Sequence, residues 1–446
     1  MTETLKNSRP VAVPSGRLNR FSRMGGLAAG VAGTMAVNGL IQLGKGTRPQ
    51  ARDLLLTPRN IKRVADELAK MRGAAMKVGQ LMSMDAGELL PPELAEIMAR
   101  LRAEADFMPP KQLKQVLNDE LSPNWLGRFA QFDVRPIAAA SIGQVHKARL
   151  KDGRQVAIKV QYPGIARSID SDVSNVGRLI KMSGLMPPGL ALEPFLDEAK
   201  AQLHEEADYV KEAAHLTTFH ELLGNDEKYV LPALLTELSS PRVLAMDFIG
   251  SVPIETVESE SQEVRDRVAH ELIDLTLREL FAFGWMQTDP NFANYRYQAD
   301  TGRIVLLDFG ATRSVPTEIV SAYHELFSAG IGIADDATLE PPALALGLLS
   351  EGIEDRHKAT ILSMLRLVFE EVASPDVFDF GASNMFARLQ AMGEAMAEER
   401  VVLPPPPMDV LYIQRKFAGM FLLATKLKAR VAMRELMQRN MKLSAG

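Results

Sequence analysis

The spacing of apolar residues changes character several times along the chain. Thr57-Pro58 reads as a helix start, and Ile61, Val64, Leu68, Met71 and Ala75 recur at helical intervals. This predicts a helix from Asn60 to about Ala86. Leu90-Pro91-Pro92-Glu93 breaks it and opens a second helix over 93–105, and Pro109-Pro110 introduces a third over 111–121. From Phe129 the pattern becomes β-like. Ile142–Leu150 and Val156–Gln161 flank Lys151-Asp152-Gly153, and Asp-Gly between two such runs predicts a hairpin. Helical spacing returns over 191–223. Strands are expected at Val230–Leu235 and Arg242–Phe248, a long helix at 261–284, and an apolar strand at Ile304–Leu307 that runs into Asp308. Beyond about 316 the chain is helical again, divided by Pro404–Pro407, and no repeat of fixed period appears. The fold class is therefore α+β, a β-rich part between helical ones, with expected segments 1–52, 53–128, 129–250 and 251–446.

Composition narrows the function classes. The chain has 446 residues, 46% hydrophobic and 24% charged, enough for a sizeable core and unlike a disordered or many-span membrane protein. It has no Cys, which excludes a disulfide scaffold, a Cys-ligated zinc, an iron–sulfur cluster and a thiol nucleophile. Seven His with no H-E-x-x-H pattern argue against a metal hydrolase, and Gly44-Lys45-Gly46-Thr47 lacks the strand and spacing of a P-loop. The net charge is −5, but residues 1–52 carry eight bases and one acid, +7, so the rest carries −5 − 7 = −12. An acidic body suits nucleic acid poorly, whereas a basic tail suits an anionic membrane surface. Within the tail, Met24–Leu43 is a 20-residue uncharged run with five Gly and four Ala, Gly26 and Gly30 forming a small-xxx-small pair. A flexible surface segment and a membrane or dimerisation helix fit it equally; a span with the basic tail in the cytoplasm would place the chain after Lys45 outside, which an interfacial helix avoids.

Three short motifs carry chemistry. Val156-Ala157-Ile158-Lys159 closes a β-branched strand with a cation. Asp289-Pro290-Asn291-Phe292-Ala293-Asn294 places an Asn five positions after an Asp. Leu306-Leu307-Asp308-Phe309-Gly310 runs an apolar strand into D-F-G. Singly each has a bland reading: a solvated Lys, a helix cap, a turn after a strand. In this order they match the kinase plan. Lys holds phosphates and pairs with a helix Glu, Asp orients a hydroxyl or water, and Asn with the D-F-G Asp binds magnesium, which needs few carboxylates beside phosphate oxygens and waters.

Over roughly residues 55–330 the chain resembles the UbiB (aarF-domain-containing) atypical kinase-like family. Lys77-Val78-Gly79-Gln80 matches its KxGQ motif, Ala138-Ala139-Ala140-Ser141-Ile142-Gly143-Gln144-Val145 its alanine-rich nucleotide loop, and Glu206-Ala207-Asp208 its ExD motif, with Glu212 in the place of the αC glutamate. Gln287-Thr288-Asp289-Pro290-Asn291 is similar to the coenzyme-Q branch shared by α-proteobacteria and mitochondria. The resemblance implies a small β-rich N-lobe, a helical C-lobe and an N-terminal helical extension over the active site, linked to ubiquinone biosynthesis. It implies catalytic roles for Asp289, Lys159 and Glu212. ATP or ADP would be held by Ala138, Ala139, Ala140, Ser141, Gln144, Lys159, Met246, Asp247 and Phe248, and Mg2+ by Asn294 and Asp308. Lys77, Gly79, Gln80, Glu206 and Asp208 would form a regulatory lid, Lys77 reaching Glu206. The partners implied are anionic lipids, prenylated quinone precursors, other ubiquinone-biosynthesis proteins and a second copy of the chain. The expected location is cytoplasmic, peripheral at the inner face of a membrane, or the matrix side in a mitochondrion.

The residues qualify this picture. Three Ala stand where kinases use Gly, and each Cβ narrows the approach of backbone to phosphate, so nucleotide preference and rate should differ. Asp208 and Glu212, read on one helix, would share a face at i,i+4, and Lys77 and Gln80 at i,i+3 would project from one side of theirs. His-Arg before the catalytic Asp is replaced by Gln287-Thr288, no A-P-E follows, and residues 311–320 run almost directly into helix. Together with the KxGQ helix these features argue against protein phosphorylation in trans. ATP hydrolysis or phosphorylation of a small lipid-like molecule is the expected activity. A nucleotide-gated scaffold is the alternative, and an aminoglycoside-kinase-like phosphotransferase is a third reading that leaves Lys77–Gln80 unexplained.

Overall fold

The computed structural model describes residues 68, 71–85, 107–183, 192–332, 335–374, 376–399 and 406–443. The expected helix start at Thr57, the helix over 93–105 and the run 24–43 lie outside them. The chain forms two compact units. One holds the described residues up to Ala214 together with Ala233–Phe248, the other His215–Pro232 and the residues from Ile249 onward.

In the first unit, helix α1 (Arg72–Asp85) buries Ala74, Ala75, Val78, Leu81 and Met82, an apolar stripe at helical spacing. Pro at the first position starts α2 (Pro110–Leu121). Strands β1 (Phe129–Phe132), β2 (Ala138–Ala139), β3 (Gly143–Leu150) and β4 (Gln155–Gln161) follow. The β3–β4 hairpin turns at Gly153, whose φ of +93° needs a residue without Cβ penalty. Helices α3 (Ile169–Ser183), α4 (Glu193–Glu206) and α5 (Tyr209–Leu223) come next, α5 crossing into the second unit, where β5 (Tyr229–Val230) lies. Strand β6 (Val243–Asp247) returns to the first unit. Its antiparallel sheet runs β1-β3-β4-β6, and β2 pairs with Gln144 and Val145 of β3 on the edge that β1 also uses. Along β4, Val156, Ile158 and Val160 face a core with α2, Trp125 and Phe129. Ala157 and Lys159 point to the opposite face, where α1, α3 and α4 pack their own apolar core.

The second unit continues with β7 (Val252–Pro253) and α6 (Gln262–Arg278), whose Ser261 side chain caps the Val264 N–H. The long helix expected to 284 ends earlier as regular α-helix. A π-turn over Glu279–Phe283 follows, and Gly284 at φ +61° stops it. Strands β8 (Trp285–Gln287), β9 (Tyr295–Gln298), β10 (Arg303–Leu306) and β11 (Thr312–Ser314) come next. The β9–β10 hairpin joins β5 and β7 in one sheet, and β11 pairs antiparallel with β8. Of the expected strand 230–235 only Val230 pairs here, as the second residue of β5, parallel to β10. Helices α7 (Thr317–Ile331), α8 (Asp336–Ala345) and α9 (Asp355–Val372), strand β12 (Phe378–Asp379), helices α10 (Met385–Glu398) and α11 (Met408–Lys426), strand β13 (Arg430–Val431) and helix α12 (Met433–Leu443) complete the chain.

Candidate functional site

In the first unit, Lys159 on β4 sits opposite Val145 and Leu244 in the sheet. Its ammonium lies 2.7 and 2.9 Å from the two carboxylate oxygens of Glu212, which is 2% exposed. The strand alternation that buries Ile158 on one face therefore delivers Lys159 to a Glu on the other. The alanine-rich segment is the tip of a hairpin. Ala138 and Ala139 pair with Val145 and Gln144, and the Ala140 N–H donates to Gly143 O at 2.8 Å, closing a turn over Ser141-Ile142.

Helix α1 lies directly on that turn. A Cβ on Gly73 would come within 2.1 Å of the Ser141 carbonyl oxygen, so only Gly permits this approach. The Lys77 ammonium, 3% exposed, donates to Glu206 at 2.8 Å, and the Ser141 hydroxyl donates to the other carboxylate oxygen of Glu206. The KxGQ helix, the ExD motif and the alanine-rich turn thus meet at one carboxylate. Gly79 is buried on the same helix. The side chain of Gln80 lies outside the described residues.

Two expectations for this unit are corrected. Glu206, Asp208 and Glu212 are not on one helix, because α4 ends at Glu206 and α5 begins at Tyr209. Asp208 stands between them, and its side chain accepts from the Lys211 N–H at 3.0 Å, so it starts α5 rather than sharing a face with Glu212. Gln144, expected as a polar group of an open loop, is turned into the fold. It is fully buried, its Oε1 accepts from the Met108 N–H at 2.8 Å, and its amide nitrogen donates to His146 Nε2 at 2.9 Å. His146 Nδ1–H in turn donates to Asp133 O at 2.8 Å. These partners fix the neutral tautomer, and burial pulls the imidazole down to about 4, opposed by the Asp133 carbonyl. Met246 is buried in the sheet. The N–H groups of Asp247 and Phe248 are spent on Ala233 O and Gln155 O.

In the second unit, the catalytic-type loop hangs between β8 and β9. Asp289 Oδ1 accepts from the Asn291 N–H at 3.2 Å, and its Oδ2 accepts from Asn294 Nδ2 at 3.1 Å. Because the Asn294 nitrogen is directed at Asp289, its carbonyl Oδ1 is the atom left to act as a ligand. The β9–β10 hairpin starts right after Asn294 and ends right before Leu307, whose N–H donates to Asn294 O at 3.1 Å. A local hairpin therefore brings Asn294 beside the strand end that carries Asp308. Asp308 Oδ1 accepts from the Gly310 N–H at 2.9 Å. Phe309 is buried, its ring centroid 4.8 Å from that of Phe219, and its carbonyl is 3.0 Å from His215 Nδ1.

No group of three or more His, Cys, Asp or Glu suited to a metal occurs among the described residues. One amide oxygen and one carboxylate fit Mg2+ better than a cage ion, since Mg2+ keeps waters and takes phosphate oxygens.

Sequence reasoning missed the buried cation behind this loop. Lys416 of α11 is 1% exposed and donates to Gln287 Oε1 at 3.0 Å and to Tyr295 Oη. Its signal was present: Ile413, Lys416, Met420 and Leu423 share one helical face, a Lys among apolar positions.

A family model for the ABC1 atypical kinase-like domain matches residues 100–339. The chain is 38% identical to the mitochondrial atypical kinase COQ8B of Rattus norvegicus, covering 97% of this chain and 81% of that protein. It is 36% identical to the mitochondrial atypical kinase COQ8 of Saccharomyces cerevisiae, over 96% and 85%. Among solved structures it is similar to Rv3197 of Mycobacterium tuberculosis, determined in complex with erythromycin. The TM-score is 0.60 and the identity 27%, over 85% of this chain and 95% of that one. With the motifs in their kinase order and a β-rich unit preceding a helical one, the chain belongs to the ABC1 (UbiB-type) atypical kinase-like family.

Proposed function

We propose that this atypical kinase binds ATP with Mg2+ and either hydrolyses it or passes its terminal phosphoryl group to a small lipid-like acceptor, in support of ubiquinone biosynthesis. The observation that carries the reading is the loop in which Asn294 clamps Asp289 while the hairpin sets Asp308 beside it. Lys159, held by Glu212, binds phosphate oxygens, with the turn at Ala138–Ser141 beside them. Asn294 Oδ1 and Asp308 hold the metal, which neutralises phosphate charge when bound. Asp289 orients the attacking water or hydroxyl. Positioning and charge neutralisation supply most of the rate in such a site. The short stretch from Gly310 to α7, which starts at Thr317, leaves no room for a long activation segment and supports a small acceptor over a protein one. Anionic lipid and prenylated quinone precursors are the proposed partners, and the basic segment 1–52 favours an anionic membrane face.

Asp289→Asn tests the reading. ATP hydrolysis should fall about 10²–10⁴-fold while nucleotide affinity is retained. Hydrolysis that survives the change would favour the nucleotide-gated scaffold instead.

A further inference from the structure

The loop carrying Asp289 and Asn294 is bracketed by two residues that meet one buried cation. Gln287 stands two positions before Asp289, Tyr295 directly follows Asn294, and both accept from Lys416 Nζ. Glu279 of the π-turn adds a carboxylate at 3.5 Å. Three residues along the same helix, Gly419 lies against the loop itself, where a Cβ would come within 2.2 Å of Pro290 Cβ. One turn before Lys416, Tyr412 Oη accepts from the Arg313 guanidinium at 3.0 Å, and the guanidinium carbon sits 3.9 Å from the ring centroid. Arg313 is on β11, the strand that leaves the D-F-G turn and pairs with β8. Helix α11 thus touches both arms of the catalytic segment, yet it lies beyond the residues 100–339 matched by the family model.

We infer that Lys416 is a positioning residue of the catalytic loop, its ammonium fixing the separation of Gln287 and Tyr295 and through them the placement of Asp289 and Asn294. The inference rests on the phosphotransfer reading for its kinetic consequence only. A buried cation serves here because three acceptors from three different elements converge on it: the π-turn, β8 and the start of β9. An apolar side chain of similar length has no donor and holds none of them. The energetic cost of its burial is offset by Glu279, whose own carboxyl burial pushes up to about 7.

Removing Lys416 alone leaves Glu279 buried without its cation, so the test removes both charges: Lys416→Met with Glu279→Gln in the full chain. With MgATP, kcat should fall about 10- to 100-fold with KM little changed, since a displacement near 1 Å at a catalytic group has that scale of effect. Amide exchange in the peptide containing Asp289–Asn294 should rise by about tenfold or more while the rest of the unit keeps its protection. Exchange and kcat both unchanged overturn the inference. If the parent chain hydrolyses no ATP, the phosphotransfer reading fails by itself, and exchange in that peptide alone decides the positioning role. Should the double variant not fold, Tyr295→Phe keeps the ring and removes one acceptor. Faster exchange of the same peptide then supports the role, and unchanged exchange rejects it.

Discussion

Lys77 and Glu206 are 129 positions apart in sequence, and the ammonium of one lies 2.8 Å from the carboxylate of the other. The same carboxylate takes the Ser141 hydroxyl, so a single ion pair ties the KxGQ helix to the turn that stands where kinases place a glycine-rich loop. A turn held in this way is less free to move over a nucleotide than a glycine-rich one.

Lys77→Met should therefore loosen the turn. Loss of a charge-assisted bond at a site this buried lowers stability by about 1.5–3 kcal/mol. A thermal melt should show the loss, and amide exchange should rise in 138–143. Glu206→Gln, which retains an acceptor for Ser141, should have a smaller effect on both readouts.

Gly73→Ala places a methyl group on the Ser141 carbonyl oxygen, at 2.1 Å before relaxation. The obstacle is backbone, which cannot swing aside as a side chain would. Helix α1 must then shift off the turn at a cost of about 1–3 kcal/mol, against the usual gain from replacing a helical Gly by Ala. A melting temperature equal to or above that of the parent would show that α1 does not rest on the turn.

His146 predicts an acid-sensitive first unit. Its folded imidazole is depressed to about 4 from an ordinary value of 6.5, burial being the main cause. Between these values the unfolded chain binds the extra proton and the folded one does not. The contribution to stability is thus complete above pH 6.5 and is lost as pH falls toward 4, up to about 3 kcal/mol. Protonation would also aim Nε2–H at the amide nitrogen of Gln144, donor against donor. Chemical denaturation between pH 7 and 4.5 measures the loss, and His146→Phe should flatten the profile.

Metal dependence should follow the loop. Asp308→Asn should abolish the thermal stabilisation that ATP gives in the presence of Mg2+, as should a chelator with the parent chain. Asn294→Ala should do so too, and it removes the clamp on Asp289 besides. Stabilisation by ATP that is indifferent to Mg2+ in all three experiments would separate Asn294 and Asp308 from the nucleotide.

Much of this protein is written in local pattern. The hairpin at Asp152-Gly153, the strand that carries Lys159, the helix at 111–121, the brief passage from D-F-G to α7 and the order of the motifs follow from residue spacing of two or 3.6 and from turn chemistry. Those rules act between near neighbours. The folded chain alone decided which polar groups turn inward. Gln144 sits in a motif that suggests an exposed loop, yet Met108, 36 residues earlier, takes its oxygen inside. A helix that looked continuous breaks at Asp208, whose side chain satisfies the free Lys211 N–H in the first turn of the next one. Lys416 is buried by acceptors 121 and 129 positions away. Burial of a charge depends on partners that only folding assembles, and no local periodicity carries their identity.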